Sequence, residues 1–346
     1  MSRITYQSSE KKDAKLLSEL RTDSKGRVII TDIDDKIIAF LLSDGKAVCI
    51  NVLGGSDLLS PDSVNSGDIV IAYVRDVKKD IGAAFIEYAP GKDGYLPLNK
   101  IPATVTVKQG DLIPVRLTSE AQKKKRASFS AGIDYSKYPD GELLRERSGH
   151  LTAYSYLYKD RSFLSERLDK VFRKKEYSEI ITDVRTVYEN LVTSCDCIRF
   201  YDDESFGLSK LYSLKTVLED SVSVKVWLKC GGYLYIEHTE AMTVIDVNSG
   251  KYTPSRGTDK ESAYLNVNTE AAIEVCRQLR LRNISGIVIV DFINLVSEDD
   301  RNLLMETLRT EALRDTVKVS VVDITALGLV EITRKKELPP LYEQLR

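Results

Sequence analysis

Histidine and cysteine are scarce, and that scarcity removes much ordinary site chemistry. Only His150 and His238 occur among 346 residues, so a three-histidine metal centre is excluded and a histidine-based triad has few candidates. The cysteines, Cys49, Cys195, Cys197, Cys230 and Cys276, form no CxxC pair and no zinc spacing. Their odd number argues against a disulfide framework, so a reducing, cytoplasmic setting is expected. No apolar run approaches the ~18 residues that a membrane span needs. The first residues, Met1 to Gln7, lack the apolar stretch of a signal peptide. Neither GxxxxGKS/T nor GxGxxG occurs, so the usual nucleotide-cradling loops are missing.

Apolar residues make up 42% and charged residues 29%, with 19 glycines and 9 prolines. That is the composition of a globular chain with real cores, and it disfavours disorder, collagen and coiled coil. At ~100–200 residues per domain, the length suggests two or three domains. A net charge of −2 gives no hint of nucleic acid. Positive charge is nonetheless clustered at Lys123-Lys124-Lys125-Arg126, Arg173-Lys174-Lys175, Arg277/Arg280/Arg282 and Arg334-Lys335-Lys336. Such runs are usually solvated faces and count only where they flank a site.

Residues 1–25 read as a polar extension with one short helical stretch near Lys11–Leu20. From Arg27, three β-like runs separated by Asp34-Asp35 and Asp44-Gly45 read as an antiparallel meander. Residues 66–131 hold about five short strands with glycine turns, which suits a small closed barrel. Residues 132–197 read as mostly helical, over Ser162–Arg173 and Glu176–Val192. Beyond Ile198 strands and helices alternate. Ala272, Val275, Cys276 and Leu279 mark one helix face within 269–282, with Asn283 and Gly286 as its stop. Ser297 and Asp300 cap a second helix. This part is a mixed α/β domain.

The informative constellation is Asp246-Val247-Asn248-Ser249-Gly250 together with Asp291, each aspartate standing where an apolar strand runs out. If those strands are neighbours, both carboxylates emerge on one rim. Like charges that close are costly unless a cation or a proton neutralises them. Mg²⁺ takes one or two carboxylates and keeps several waters. The plainer alternative is that each aspartate only caps a strand-to-loop turn. In the barrel, Phe85 and Tyr95 are candidates for stacking bases, with the cations of Lys123–Arg126 tracking phosphates. The alternative is that Phe85 is barrel core.

The runs Thr239–Gly250, Asn268–Asn283, Ile287–Ile293 and Leu327–Lys336 resemble, in that order, the catalytic domain of the bacterial ribonuclease E/G family. Residues 61–131 resemble its S1 RNA-binding domain. The resemblance implies an RNase H-like subdomain (26–60 and 198–220) with the S1 domain, an OB-type barrel, inserted in it. A shortened helical, sensor-like region (132–197) and a DNase I-like catalytic subdomain (221–346) would follow. It further implies a Mg²⁺-dependent endoribonuclease, with Mn²⁺ a possible substitute, that cuts single-stranded RNA to 5′-phosphate and 3′-hydroxyl ends in rRNA maturation or mRNA decay. Asp246 and Asp291 would be the metal ligands, Asn248 would orient the site, and Lys318 would lie near the scissile phosphate. Phe85 and Tyr95 would stack on RNA.

Three departures accompany the resemblance. Asn294 stands where the family commonly has a second aspartate, Ala326 where a basic residue is frequent, and Val184-Arg185-Thr186 only mimics the motif of the 5′-end pocket. No cysteine-containing zinc link is found, so zinc-linked assembly is not expected, whereas a homodimer through the DNase I-like subdomain is possible. Two other readings stand beside the enzyme: a non-catalytic RNA-binding protein that keeps the fold, and an S1 unit that docks on ribosomal RNA with the rest as scaffold.

Overall fold

A computed structural model describes residues 25–60, 62–121, 125–149, 152–172, 176–203, 205–252 and 259–346. The helical stretch expected near Lys11–Leu20, Lys123, Lys124 and the Arg173–Lys175 run lie outside these residues. The chain forms two compact units. One holds the described parts of Asp57–Arg167 and Glu189–Ser194, and the other holds the described parts of Met1–Ser56, Leu168–Tyr188 and Cys195–Arg346.

Strands β1 (Gly26–Ile33), β2 (Lys36–Ser43) and β3 (Lys46–Gly55) form the expected meander. Asp34, Asp35 and Asp44 all take positive φ at its turns, a conformation that Asp tolerates better than most residues and that twists a hairpin correctly.

The barrel consists of β4 (Ile69–Lys78), β5 (Ala83–Ala89), β6 (Lys92–Pro97), β7 (Leu112–Ser119) and β8 (Ala127–Ser130). They run in the order β5-β6-β8-β7-β4, and β4 pairs back with β5 to close the ring, so no edge is left within it. A short β9 (Tyr156–Tyr158) adds to β4. Val70, Val74, Ile86, Leu96, Val115 and Phe129 fill the interior. Gly94 has a steric reason: a Cβ there would stand 2.6 Å from the Phe129 ring. Five strands in an OB-like closed barrel are what the turn spacing implies.

The helix expected over Glu176–Val192 forms only in its second half. Instead β10 (Tyr177–Thr182) runs parallel to β1, β11 (Ile198–Phe200) runs parallel to β10, and the helix is confined to Arg185–Leu191. Ile180, Val184, Val187 and Leu191 mimic a helical spacing, but Ile180-Ile181-Thr182 is a β-branched run and β1 offers it a free edge. The sheet order is β11-β10-β1-β2-β3.

The last sheet contains β12 (Lys225–Trp227), β13 (Tyr233–His238), β14 (Met242–Asn248), β15 (Gly286–Asp291), β16 (Val319–Ile324) and β17 (Leu329–Arg334). Its order is β12-β13-β14-β15-β17-β16. Only β14 and β15 are parallel neighbours, and helix Lys260–Leu281 makes the crossover a parallel pair requires. This helix starts nine residues before the 269 expected, because Asp259 caps it by accepting from Glu261 and Ser262 amides. Helix Glu298–Ala312 starts at Ser297, whose hydroxyl accepts from the Asp300 amide, as expected.

Alternation decides the faces. Leu234, Ile236, Ile245, Val247, Val288, Val290, Val330 and Ile332 point inward and pack with Val267, Val275, Leu279, Leu304 and Leu308 of the two helices. Each such fully buried side chain is worth about 1.5–3 kcal/mol. The residues between them, Asp246 and Asp291 included, therefore face the other way. Among the described residues no helix is long and apolar enough to cross a membrane.

Candidate active site

The register of β14 on β15 brings the two aspartates together. Asp246 is the direct Cα partner of Asp291, the last pair of that ladder, and both side chains are exposed. Adjacent strands lie about 4.8 Å apart, so the carboxylates share one rim on one face. Asn248, two residues on and thus on the same face, donates from Nδ2 to Asp246 Oδ2 at 2.7 Å. That bond fixes one carboxylate oxygen.

Buried groups hold the rim in place. Asn268, fully buried in the long helix, donates to the Ile293 carbonyl at 2.7 Å and accepts from the Ile293 amide at 3.1 Å. The segment leaving Asp291 is clamped in this way. Sequence reasoning had assigned Asn268 no role; a polar residue at a core-facing helical position was the available signal. Gly250 closes the motif with φ +56°, and a Cβ there would meet the Gly231 carbonyl at 2.5 Å. Glu270 accepts from the backbone amides of Lys229 and Cys230, pinning the β12–β13 turn.

Two carboxylates and a carboxamide are an all-oxygen donor set suited to a hard divalent ion that keeps most of its waters. Among the described residues no group of three His, Cys, Asp or Glu gathers as a metal cage.

Lys318 requires a correction. It flanks β16 beside Val319, which pairs with Arg334, and Arg334 pairs with Gly286, whereas Asp291 pairs with Leu329 at the other end of β17. Along a strand that separation is about 17 Å, beyond a lysine's reach. Asn294 instead lies close to the rim loop: its Oδ1 is 3.4 Å from where a Cβ of Gly328 would stand.

The basic clusters divide in a similar way. Arg334 is buried, paired with Asp315 at 2.8 Å and donating to Asn283. Arg277 binds Glu274 and the Ala47 carbonyl, Arg280 binds Glu176, and Arg282 binds Gln278 and the Ser223 carbonyl. Burial lowers the Arg282 pKa to about 10. These arginines hold the fold. In the barrel, Phe85 is the cross-strand partner of Tyr95, their ring centroids 6.3 Å apart, and both are half-buried outside the core. Arg126 lies over the Phe85 ring at 4.9 Å, and Lys125 is exposed. That placement removes the reading of Phe85 as barrel core.

A closed OB-like barrel, together with an α/β sheet that ends in paired carboxylates, defines a mixed α/β protein of two compact units. The chain belongs to the ribonuclease E/G family: residues 107–337 match the model described as "Ribonuclease E/G family". It is 33% identical over 247 residues to Ribonuclease G of Escherichia coli (strain K12), covering 69% of this chain and 49% of that protein. It is 33% identical over 216 residues to Ribonuclease E of a Synechocystis strain, covering 58% and 31%. With a chloroplastic Ribonuclease E/G-like protein of Arabidopsis thaliana it shares 34% over 179 residues, covering 51% and 18%. The chain spans about half the length of the Ribonuclease G it matches.

Proposed function

We propose that this protein is an endoribonuclease that hydrolyses phosphodiester bonds in single-stranded RNA to 5′-phosphate and 3′-hydroxyl ends, acting in the cytoplasm in rRNA maturation or mRNA decay. The observation that carries this reading is the register pair Asp246–Asp291 with Asn248 bonded to it. Asp246 and Asp291 would hold Mg²⁺, or Mn²⁺ in its place, and the ion would supply Lewis-acid stabilisation of phosphate oxygens and a water of lowered pKa. Asn248 orients Asp246 by its hydrogen bond, and the Asn268 clamp keeps the Asp291 strand end from drifting. In the hydrolysis a water oxygen bonds to phosphorus, the bond to the 3′-oxygen breaks, and that oxygen leaves as a hydroxyl. Phe85, Tyr95, Lys125 and Arg126 of the barrel, read as an S1 domain, would hold the unpaired strand by stacking and charge. On the same reading, 26–60 with 198–220 is RNase H-like and 221–346 is DNase I-like.

The distance of Lys318 from the rim, with Asn294 in place of an acid, favours one alternative, an RNA-binding protein without turnover. A fluorogenic single-stranded RNA incubated with and without Mg²⁺, beside Asp246→Asn, separates the two. Cleavage that needs both the ion and Asp246 supports the enzyme. Binding without cleavage under Mg²⁺ and Mn²⁺ supports the alternative.

A further inference from the structure

Beside the carboxylate pair the outer face of the same sheet carries large rings. Trp227 is 58% exposed and Tyr235 is 40% exposed, although aromatic rings ordinarily gain from burial. The pairings place them across from the site. Trp227 pairs with Tyr233, which pairs with Asn248, and Lys225 pairs with Tyr235, which pairs with Asp246. The rings form a ladder, Trp227 to Tyr233 at 5.4 Å and Tyr233 to Tyr235 at 5.7 Å, each edge to face. Lys225 Nζ lies 4.0 Å from the Trp227 ring and 3.8 Å from the Tyr233 ring. Cross-strand pairing of this kind stabilises a short hairpin. It does not account for the exposure of Trp227 and Tyr235, the latter one strand away from Asp246.

We infer that Trp227, Tyr233 and Tyr235, with Lys225, form a base-stacking subsite for unpaired RNA beside the Asp246–Asp291 rim. The inference rests on the proposed ribonuclease function and adds the place where nucleotides next to the cut are held. Every base has a π face, so such a platform accepts single strands with little sequence preference and rejects paired ones. Lys225 supplies the only cation in the Lys225–Tyr235–Asp246–Asp291 row, where the carboxylates would otherwise repel phosphates. Stacking on Tyr235 keeps the neighbouring phosphate within about one strand spacing of Asp246.

Trp227 is the single tryptophan of the chain, so its emission reports this subsite alone. The test uses the full chain carrying Asp246→Asn, titrated with a single-stranded oligoadenylate of about ten residues, a length in the range such platforms cover. Saturable quenching of Trp227 is expected, with none from a ribose-phosphate oligomer lacking bases. Tyr235→Ala is expected to weaken binding about tenfold. In the otherwise wild-type chain it is expected to raise KM more than it lowers kcat. An unquenched Trp227, while a labelled oligonucleotide still binds and the wild type still cleaves, refutes the subsite and spares the ribonuclease reading. Equal quenching by the base-free oligomer also refutes the subsite. Emission that follows protein concentration, with a dimer lost in Trp227→Ala, gives the face to a second copy and overturns the inference. A wild-type chain that neither binds nor cleaves RNA refutes both.

Discussion

Neutralising one member of the Asp246–Asp291 pair tests the centre on two independent scales. At the ~4.8 Å spacing of adjacent strands, two unit charges repel by about 0.9 kcal/mol in a water-like dielectric and about 3.5 kcal/mol at an effective value of 20. Both side chains are exposed, so the lower figure applies. Asp291→Asn should therefore stabilise the metal-free protein by ~1 kcal/mol, which raises the melting temperature by about 2–4 °C for a unit of this size. Added Mg²⁺ should stabilise the wild type, by mass action on the folded state, and leave Asp291→Asn unmoved. Cleavage should fall more than ~100-fold, because even an outer partner of a metal ligand is worth 10–100-fold. Differential scanning fluorimetry with EDTA or Mg²⁺, run beside a cleavage assay, reads every term. If Asp291→Asn melts lower under both conditions and still cleaves at the wild-type rate, the aspartates are strand caps and the reasoning fails.

Further expectations concern the site and its frame. Asn248→Ala should lower cleavage about 10–100-fold while RNA binding persists, since only the bond to Asp246 is lost; single-turnover kinetics with a filter-binding assay checks this. Asp315→Ala leaves Arg334 buried without its partner and should cost about 3–5 kcal/mol in urea unfolding. Phe85→Ala and Tyr95→Ala should each weaken binding of single-stranded RNA by about 1–3 kcal/mol with an unchanged circular dichroism spectrum. Burial lowers the His238 pKa below 6.5, where the ring stacks on Tyr342 and contacts Thr243. The unfolded chain then takes up a proton that the folded chain refuses, so stability falls as pH drops below 6.5 toward the lowered value. His238→Asn should flatten that slope in denaturant midpoints taken between pH 7.5 and 5.5, and an unchanged slope would refute the assignment.

The meander, the barrel and the Ser297 cap were legible because each is written in a local pattern. Asp-Asp and Asp-Gly steps demand positive φ, short alternating runs between glycines make strands, and a serine hydroxyl reaches an amide three residues on. The segment 176–192 misled because its apolar spacing fits a helix as well as a buried strand, and only the free edge of β1 settles which forms. Lys318 misled through a motif position: its distance from the rim follows from the antiparallel pairing of β17 with β15, segments far apart in the chain.

By itself the sequence determined that two aspartates end apolar strands, that histidine and thiol chemistry are scarce, and that aromatic and basic residues sit on barrel strands. Tertiary structure decided which charges meet. A right-registered crossover through helix Lys260–Leu281 set Asp246 beside Asp291, while burial turned Arg282 and Arg334 from surface cations into internal struts. The physical reason is that local periodicity is fixed by backbone geometry, whereas register and burial depend on pairing between segments far apart in the chain.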